Sequence, residues 1–144
     1  MKVSTRSKWA LACSLYYAVN YSKEVIPLKT VSKALGISEK YLEQLSIPLK
    51  KADILASTRG TQGGYKLKYH PEKITVYQVL SSIEPIHFGE DASDQAGEKE
   101  LLSVTSEFWD ELSQDLIKQL NQITLDDLRN KYYQKSSQGL MYYI

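Results

Sequence analysis

Cysteine is almost missing from this chain: its 144 residues include one, Cys13, which excludes an intramolecular disulfide and a cysteine-rich zinc site within a single chain. Histidine is scarce too. His70 and His87 have no second ligand at helical or hairpin spacing, so no metal site and no acid–base role is expected of either. No serine sits in a nucleophile elbow, the one glycine-rich loop lacks the Lys-Ser/Thr of a phosphate-binding loop, and Asp126-Asp127 fits a helix start. Neither an enzyme nor a cofactor is expected. No apolar run approaches a membrane span, and the opening Met1-Lys2-Val3-Ser4-Thr5-Arg6, interrupted by Lys8, develops no signal core. These absences place the protein in the cytoplasm, with no membrane partner.

Net charge is also small, +1, but it is unevenly spread. Residues 1–85 hold 13 Lys/Arg against 6 Asp/Glu, whereas residues 86–144 hold 5 against 11. A basic half beside an acidic half is the footprint of a nucleic-acid reader joined to something that does not touch nucleic acid. The length allows one sizeable core with an appendage. We divide it into a reader over residues 1–84, a loop or tether over 85–97, where periodicity gives way to Gly, Asp, Ser and Glu, and an arm over 98–144.

The reader is organised around residues 38–65. Ser38 is a good N-cap, and Tyr41, Leu42, Leu45 and Leu49 recur at helical spacing, opposite a polar face of Glu39, Lys40, Glu43, Gln44, Lys50 and Lys51. A shorter helix, Leu28 to Leu35, precedes it across the tight turn Leu35-Gly36-Ile37-Ser38, which is helix-turn-helix grammar. Two strand-like runs follow, Ile54 to Thr58 and Tyr65 to Tyr69, separated by Arg59-Gly60-Thr61-Gln62-Gly63-Gly64. Three glycines allow positive φ, so this wing can fold tightly and carry Arg59 to a phosphate or into a minor groove. The fold class is mainly α with a small β-hairpin: a winged helix-turn-helix plus a long C-terminal helix.

Around this unit, Ser4 to Tyr21 forms a scaffold helix with Trp9, Ala12, Cys13, Tyr16 and Tyr17 on one broad face and a basic first turn whose N-terminus suits a phosphate. Cys13 belongs to that apolar face as a core residue. Thr75 is an N-cap for Val76 to Ile83. Glu98 to Asn121 is the longest helical pattern, with Leu101, Val104, Phe108, Leu112, Leu116 and Leu120 on one stripe. A second copy of the chain is the most economical cover, so these six are the expected dimer contacts. Thr124 opens a last short helix, and the chain finishes Gly139-Leu140-Met141-Tyr142-Tyr143-Ile144.

Three segments, Ile37 to Gln44, Pro48 to Ala52 and Arg59 to Tyr65, resemble in order and spacing the Rrf-two family of bacterial winged-helix repressors, and the first five residues are similar to that family's start. The resemblance covers nearly the whole chain. It implies a dimeric regulator of palindromic double-stranded DNA operators, with the third helix in the major groove, the wing in the minor groove and the long helix as dimerisation arm. Two departures stand out. Many members carry three cysteines in the segment matching 85–97 and hold an iron–sulfur cluster there; this segment has none, and Glu90, Asp91 and His87 are poor substitutes for thiolates. Asp53 stands where members often have Gly after the reading helix. A branch without cluster cysteines and with an aromatic tail regulates cysteine metabolism, which implies a cysteine or sulfur gene repressor with cysteine synthase as a partner.

The residues expected at DNA are Lys2, Thr5 and Arg6; Leu28 and Lys29; Ser38, Glu39, Lys40, Tyr41, Glu43, Gln44 and Lys50; and Arg59, Gly60, Thr61, Gly63, Gly64 and Tyr65. Gln44, Lys40 and Tyr41 are the candidate base readers, since Gln pairs bidentately with adenine and Lys donates to guanine. Glu43 either accepts from a cytosine amino group or penalises wrong sequences. Lys50, Lys51, Lys66 and Lys68 are phosphate anchors or ordinary surface charge. Tyr142, Tyr143 and Ile144 either enter a partner, their free carboxylate captured by backbone N–H groups, or pack on the protein's own dimer. The rival functions are a winged-helix protein-interaction adaptor and a repressor sensing a different ligand.

Overall fold

A computed structural model describes residues 3–89 and 97–141, with side chains through Ser137. The order is α1 (Thr5–Val19), α2 (Leu28–Leu35), α3 (Glu39–Lys51), β1 (Leu55–Thr58), β2 (Gly64–Leu67), a 3-10 turn (Pro71–Lys73), α4 (Val76–Ile83), α5 (Lys99–Gln122) and α6 (Leu125–Met141). This is the winged-helix fold, mainly α with one antiparallel hairpin in which Leu55 faces Leu67 and Thr58 faces Gly64.

α1 runs through the centre and packs on α4, α6, α3, α2 and β2. Its buried residues are Ser7, Ala10, Cys13, Ser14, Tyr17 and Ala18. That corrects the face drawn from large side chains, because Trp9, Ala12 and Tyr16 are only half buried. Alanine, serine and cysteine let neighbouring helices approach closely, and buried hydroxyls are tolerated when satisfied: Ser14 Oγ donates to the Ala10 carbonyl at 2.9 Å. Burial pushes the Cys13 thiol up to about 12, so it is a protonated core residue. Against this face lie Val31 of α2, Leu42, Leu45 and Leu49 of α3, Leu55 and Leu67 of the hairpin, Val79 of α4, and Leu125.

The helix ends explain the boundaries. Ser4 caps α1, its Oγ accepting from Ser7 N at 3.0 Å. Thr75 and Gln78 make a reciprocal capping box on α4. Thr124 and Asp127 do the same for α6, with Asp127 N donating to Thr124 Oγ1 at 3.1 Å and Thr124 N to Asp127 Oδ2 at 2.9 Å.

The C-terminal half returns to the reader rather than leaving it. α6 is 17 residues long, not the short helix expected, and it packs along α1. Backbone bonds from Val76 N to the Ile123 carbonyl at 2.8 Å and from Leu125 N to the Ile74 carbonyl at 2.9 Å join the α5–α6 corner to the start of α4. Arg129 pairs with Asp126 and donates through Nη1 to the Ala18 carbonyl at 3.4 Å, at the end of α1. At the other end of α1, Glu84 Oε1 accepts from Ser4 N at 3.1 Å, Ser4 Oγ at 2.7 Å and Ser7 Oγ. The helix N-terminus, read from sequence as a phosphate cradle, therefore faces the protein's own carboxylate.

The segment expected to be a tether is anchored where it is described: Phe88 N donates to Ser113 Oγ at 3.0 Å, and His87 Nε2 lies 2.9 Å from Asp110 Oδ1 on α5. Along α5, Leu101, Val104 and Phe108 are 62%, 66% and 55% exposed and Leu112 is 37% exposed. Leu116 and Leu120 are half buried and turn toward α4, lining a cavity of about 340 Å³ with Val3 and Leu80.

The hydroxyl donors of Ser7 and Ser4, then the Ser4 backbone, hold the Glu84 carboxyl below its usual range. A depressed folded pKa contributes stability that is complete above about pH 5 and is lost as pH falls through the folded value. Thermal melts of Glu84→Gln and the native chain should therefore differ near neutral pH and converge as the pH falls through the lowered folded pKa of Glu84. An equal difference at both pH values would mean that the charge does not stabilise the cap.

Candidate DNA-binding surface

α3 is aimed by its two ends. α2 closes at Gly36, whose φ of 70° is left-handed, and Ser38 Oγ then accepts from Tyr41 N at 3.1 Å to start α3. At the far end, Ile54 N donates to the Leu49 carbonyl at 3.0 Å and Asp53 N to the Lys50 carbonyl at 3.1 Å. This is a Schellman closure with Asp53 at φ 61°, the left-handed position that glycine fills most easily. A left-handed residue bearing a Cβ costs roughly 1–2 kcal/mol, less for Asp than for most. The Asp53 carboxylate also holds Lys68 Nζ at 2.7 Å on β2's trailing residue. The end of α3 is thus tied to the base of the hairpin.

Leu42, Leu45, Ser46 and Leu49 are buried, which turns Glu39, Lys40, Glu43, Gln44, Lys50 and Lys51 outward. Tyr41 and Leu28 are half buried and pack against the core, and the Ser38 hydroxyl is spent on the cap. Thr5, Arg6 and Lys29 are exposed; Lys2 lies outside the described residues. Pro48 inside α3 has no N–H, so the Gln44 carbonyl has no helical donor four residues on.

The wing stands beside α3. Leu28, Glu43, Lys50, Arg59, Gly60, Gly63, Gly64 and Tyr65 line one open groove of about 470 Å³, joined by Ser57 and Thr58, which sequence reasoning did not select. Thr61 is exposed nearby on the wing tip. Only Gly60 of the three wing glycines has positive φ, 117°. Gly63 and Gly64 serve close approach instead: a Cβ would lie 2.4 Å from the Thr58 carbonyl oxygen at the former and 2.2 Å from that of Ile26 at the latter. Tyr65 pairs with Ile26 through backbone bonds of 2.8 and 3.1 Å. Its phenol is raised by burial first and by the Glu43 carboxylate second. Lys66 Nζ donates to the Lys23 carbonyl at 2.8 Å and Lys68 pairs with Asp53, whereas Lys50 and Arg59 on the groove have no such partner among the described residues.

The arrangement gives one surface with donors, acceptors and cations on a helix, flanked by a hairpin tip carrying Arg59. The family model described as Rrf2, iron-dependent transcriptional regulator, matches residues 3–131. The chain belongs to the Rrf2 family. Among Rrf2 relatives, it is 34% identical over 134 residues to the HTH-type transcriptional regulator IscR of Cereibacter sphaeroides, spanning 89% of this chain and 86% of that one. It is 31% identical over 145 residues to the HTH-type transcriptional regulator CymR of Bacillus subtilis, spanning 100% of both. The solved structure of B. subtilis CymR, the global cysteine regulator, superposes with a TM-score of 0.74 at 30% identity, covering 91% of this chain and 98% of that one. The chain is accordingly an Rrf2 transcription regulator and not an enzyme. No helix among the described residues is long and apolar enough to cross a membrane.

Ile47 was also missed. It is 62% exposed on α3 and stands outside the buried 42–45–49 stripe, a break in register that was visible in the sequence. Tyr142, Tyr143 and Ile144 lie outside the described residues.

Proposed function

We propose that the chain is a homodimeric repressor of cysteine or sulfur metabolism genes that reads a palindromic operator without an iron–sulfur cluster. The observation that carries the DNA reading is the outward face of α3, with Lys40, Glu43 and Gln44, standing beside a wing whose Arg59 shares its groove with Lys50. Gln44 presents an amide that matches adenine, Lys40 a donor for guanine, and Glu43 an acceptor that rejects bases offering only acceptors. Lys50 and Arg59 supply phosphate and minor-groove contacts.

The donor set of this chain does not suit a cluster. Its single thiol, Cys13, is fully buried in the core and protonated, and none of residues 85–97 is a cysteine. End-to-end similarity to a cysteine regulator supports the cysteine or sulfur assignment. The exposed Leu101, Val104, Phe108 and Leu112 support a dimer through α5, because fully burying one such side chain is worth about 1.5–3 kcal/mol. Leu116 and Leu120 would continue that contact from their half-buried positions. Similarity to a cysteine regulator over the full length also supports cysteine synthase as the partner we assign to the tail Tyr142-Tyr143-Ile144.

Genomic fragments selected by the protein test the DNA reading. On such a fragment, Gln44→Ala should lose about 1–3 kcal/mol and relax specificity at one position per half-site. Lys50→Ala should instead weaken all sequences alike and reduce the salt slope by about one unit. Equal loss of specific and nonspecific binding in Gln44→Ala removes its role as reader. Leu112→Asp should be monomeric by sedimentation and bind the operator poorly, because it brings an unpaired carboxylate into the interface; a full dimer would move the interface elsewhere. Deleting Tyr143 and Ile144 should abolish capture by cysteine synthase at unchanged melting temperature, and unchanged capture sinks the tail assignment.

A further inference from the structure

At 62% exposure, Ile47 is more open to solvent than any other large apolar side chain from Ser4 to Glu84. The core does not account for it. Leu42, Leu45 and Leu49 are the side chains that bury, and Ile47, two residues before Leu49, points the opposite way. It shares its face with Lys40, Gln44 and Lys51, at separations of seven, three and four residues, so it stands in line with charged and amide groups. A β-branched residue on an exposed helix surface gains no propensity and leaves apolar area in water. Its position suits a partner that is apolar yet lies among groups bound by lysine and glutamine.

The major groove offers one such group, the C5 methyl of thymine, the only apolar feature on the base edges there. We infer that Ile47 is a specificity-determining residue that packs on a thymine methyl. The inference rests on the DNA reading of α3 and extends it by one turn. Ile47 lies about 10 Å along the helix from Lys40, about three base-pair steps, so its thymine falls toward the side of the half-site reached by Lys51 rather than Lys40.

Replacing thymine by deoxyuridine removes this methyl and leaves pairing intact. On a fragment selected by the full-length protein, single thymine-to-deoxyuridine substitutions should reveal one position per half-site that weakens native binding about 3- to 5-fold, the factor for one buried methyl group. Ile47→Ala should lose a similar factor on the unmodified fragment and become indifferent to deoxyuridine at that position, whereas Gln44→Ala should still respond to it. Ile47→Val, which keeps methyl groups at Cβ, should retain most of the response. Because Ile47 contributes little to the core, an unchanged melting temperature should accompany each variant. A full deoxyuridine penalty in Ile47→Ala, or specific binding with no sensitive thymine, overturns this inference and leaves the reading by Gln44 standing. Failure to select any specific fragment overturns the DNA reading itself and this inference with it.

Discussion

The rest of the structure depends on burial of the small-residue face of α1. Ala10, Cys13, Ser14 and Ala18 are fully buried, and they bring the central helix close enough to pack on α3, α4 and α6 at once. A larger residue at any of them would push one of those helices outward, since a packed interior accommodates added methylenes poorly. α3, the α4 helix that leads into Glu84 and the returning C-terminal helix are all referred to this one surface. Both ends of α1 are closed by side chains from distant sequence, Glu84 at the start and Arg129 at the finish. The orientation of α3 is therefore set by the whole chain.

A second constraint relates α3 to the wing. The Schellman closure at Asp53 reverses the chain within two residues of α3, and Ile54 enters the core immediately afterwards. From there the hairpin has little freedom, because β2 is also held against Ile26 by two backbone bonds that only Gly64 permits so closely. The Arg59 side chain is exposed, but the hairpin that carries it is held on both flanks. A wing held in this way would lose less entropy on docking.

The C-terminal half is divided in its loyalties. Its first part, α5, leaves a row of large apolar residues in solvent while pinning His87 and Phe88 through Asp110 and Ser113. Its second part, α6, is a full member of the reader's core through Leu125. α5 is thus joined to α4 at one end, through backbone bonds at the Thr75–Thr124 bridge and the half-buried Leu116 and Leu120, and is exposed along the other.

Local chemistry determined much of this in advance. Ser38, Thr75 and Gly36 mark helix ends because side-chain oxygens and the missing Cβ act within three or four residues, so α2, α3 and α4 were legible to within a residue. The period of Leu42, Leu45 and Leu49 likewise determined which face of α3 turns outward, and with it the candidate readers. Tertiary structure alone decided the rest. The buried face of α1 went to alanine, serine and cysteine, because close approach of three helices rewards small size over hydrophobicity. Gly63 and Gly64 are required by neighbouring backbone and not by φ, which depends on where Ile26 runs. The length and return of α6 and the carboxylate of Glu84 at the start of α1 were undecidable from local pattern, because each depends on residues 80 or more positions apart being brought together by the packed core.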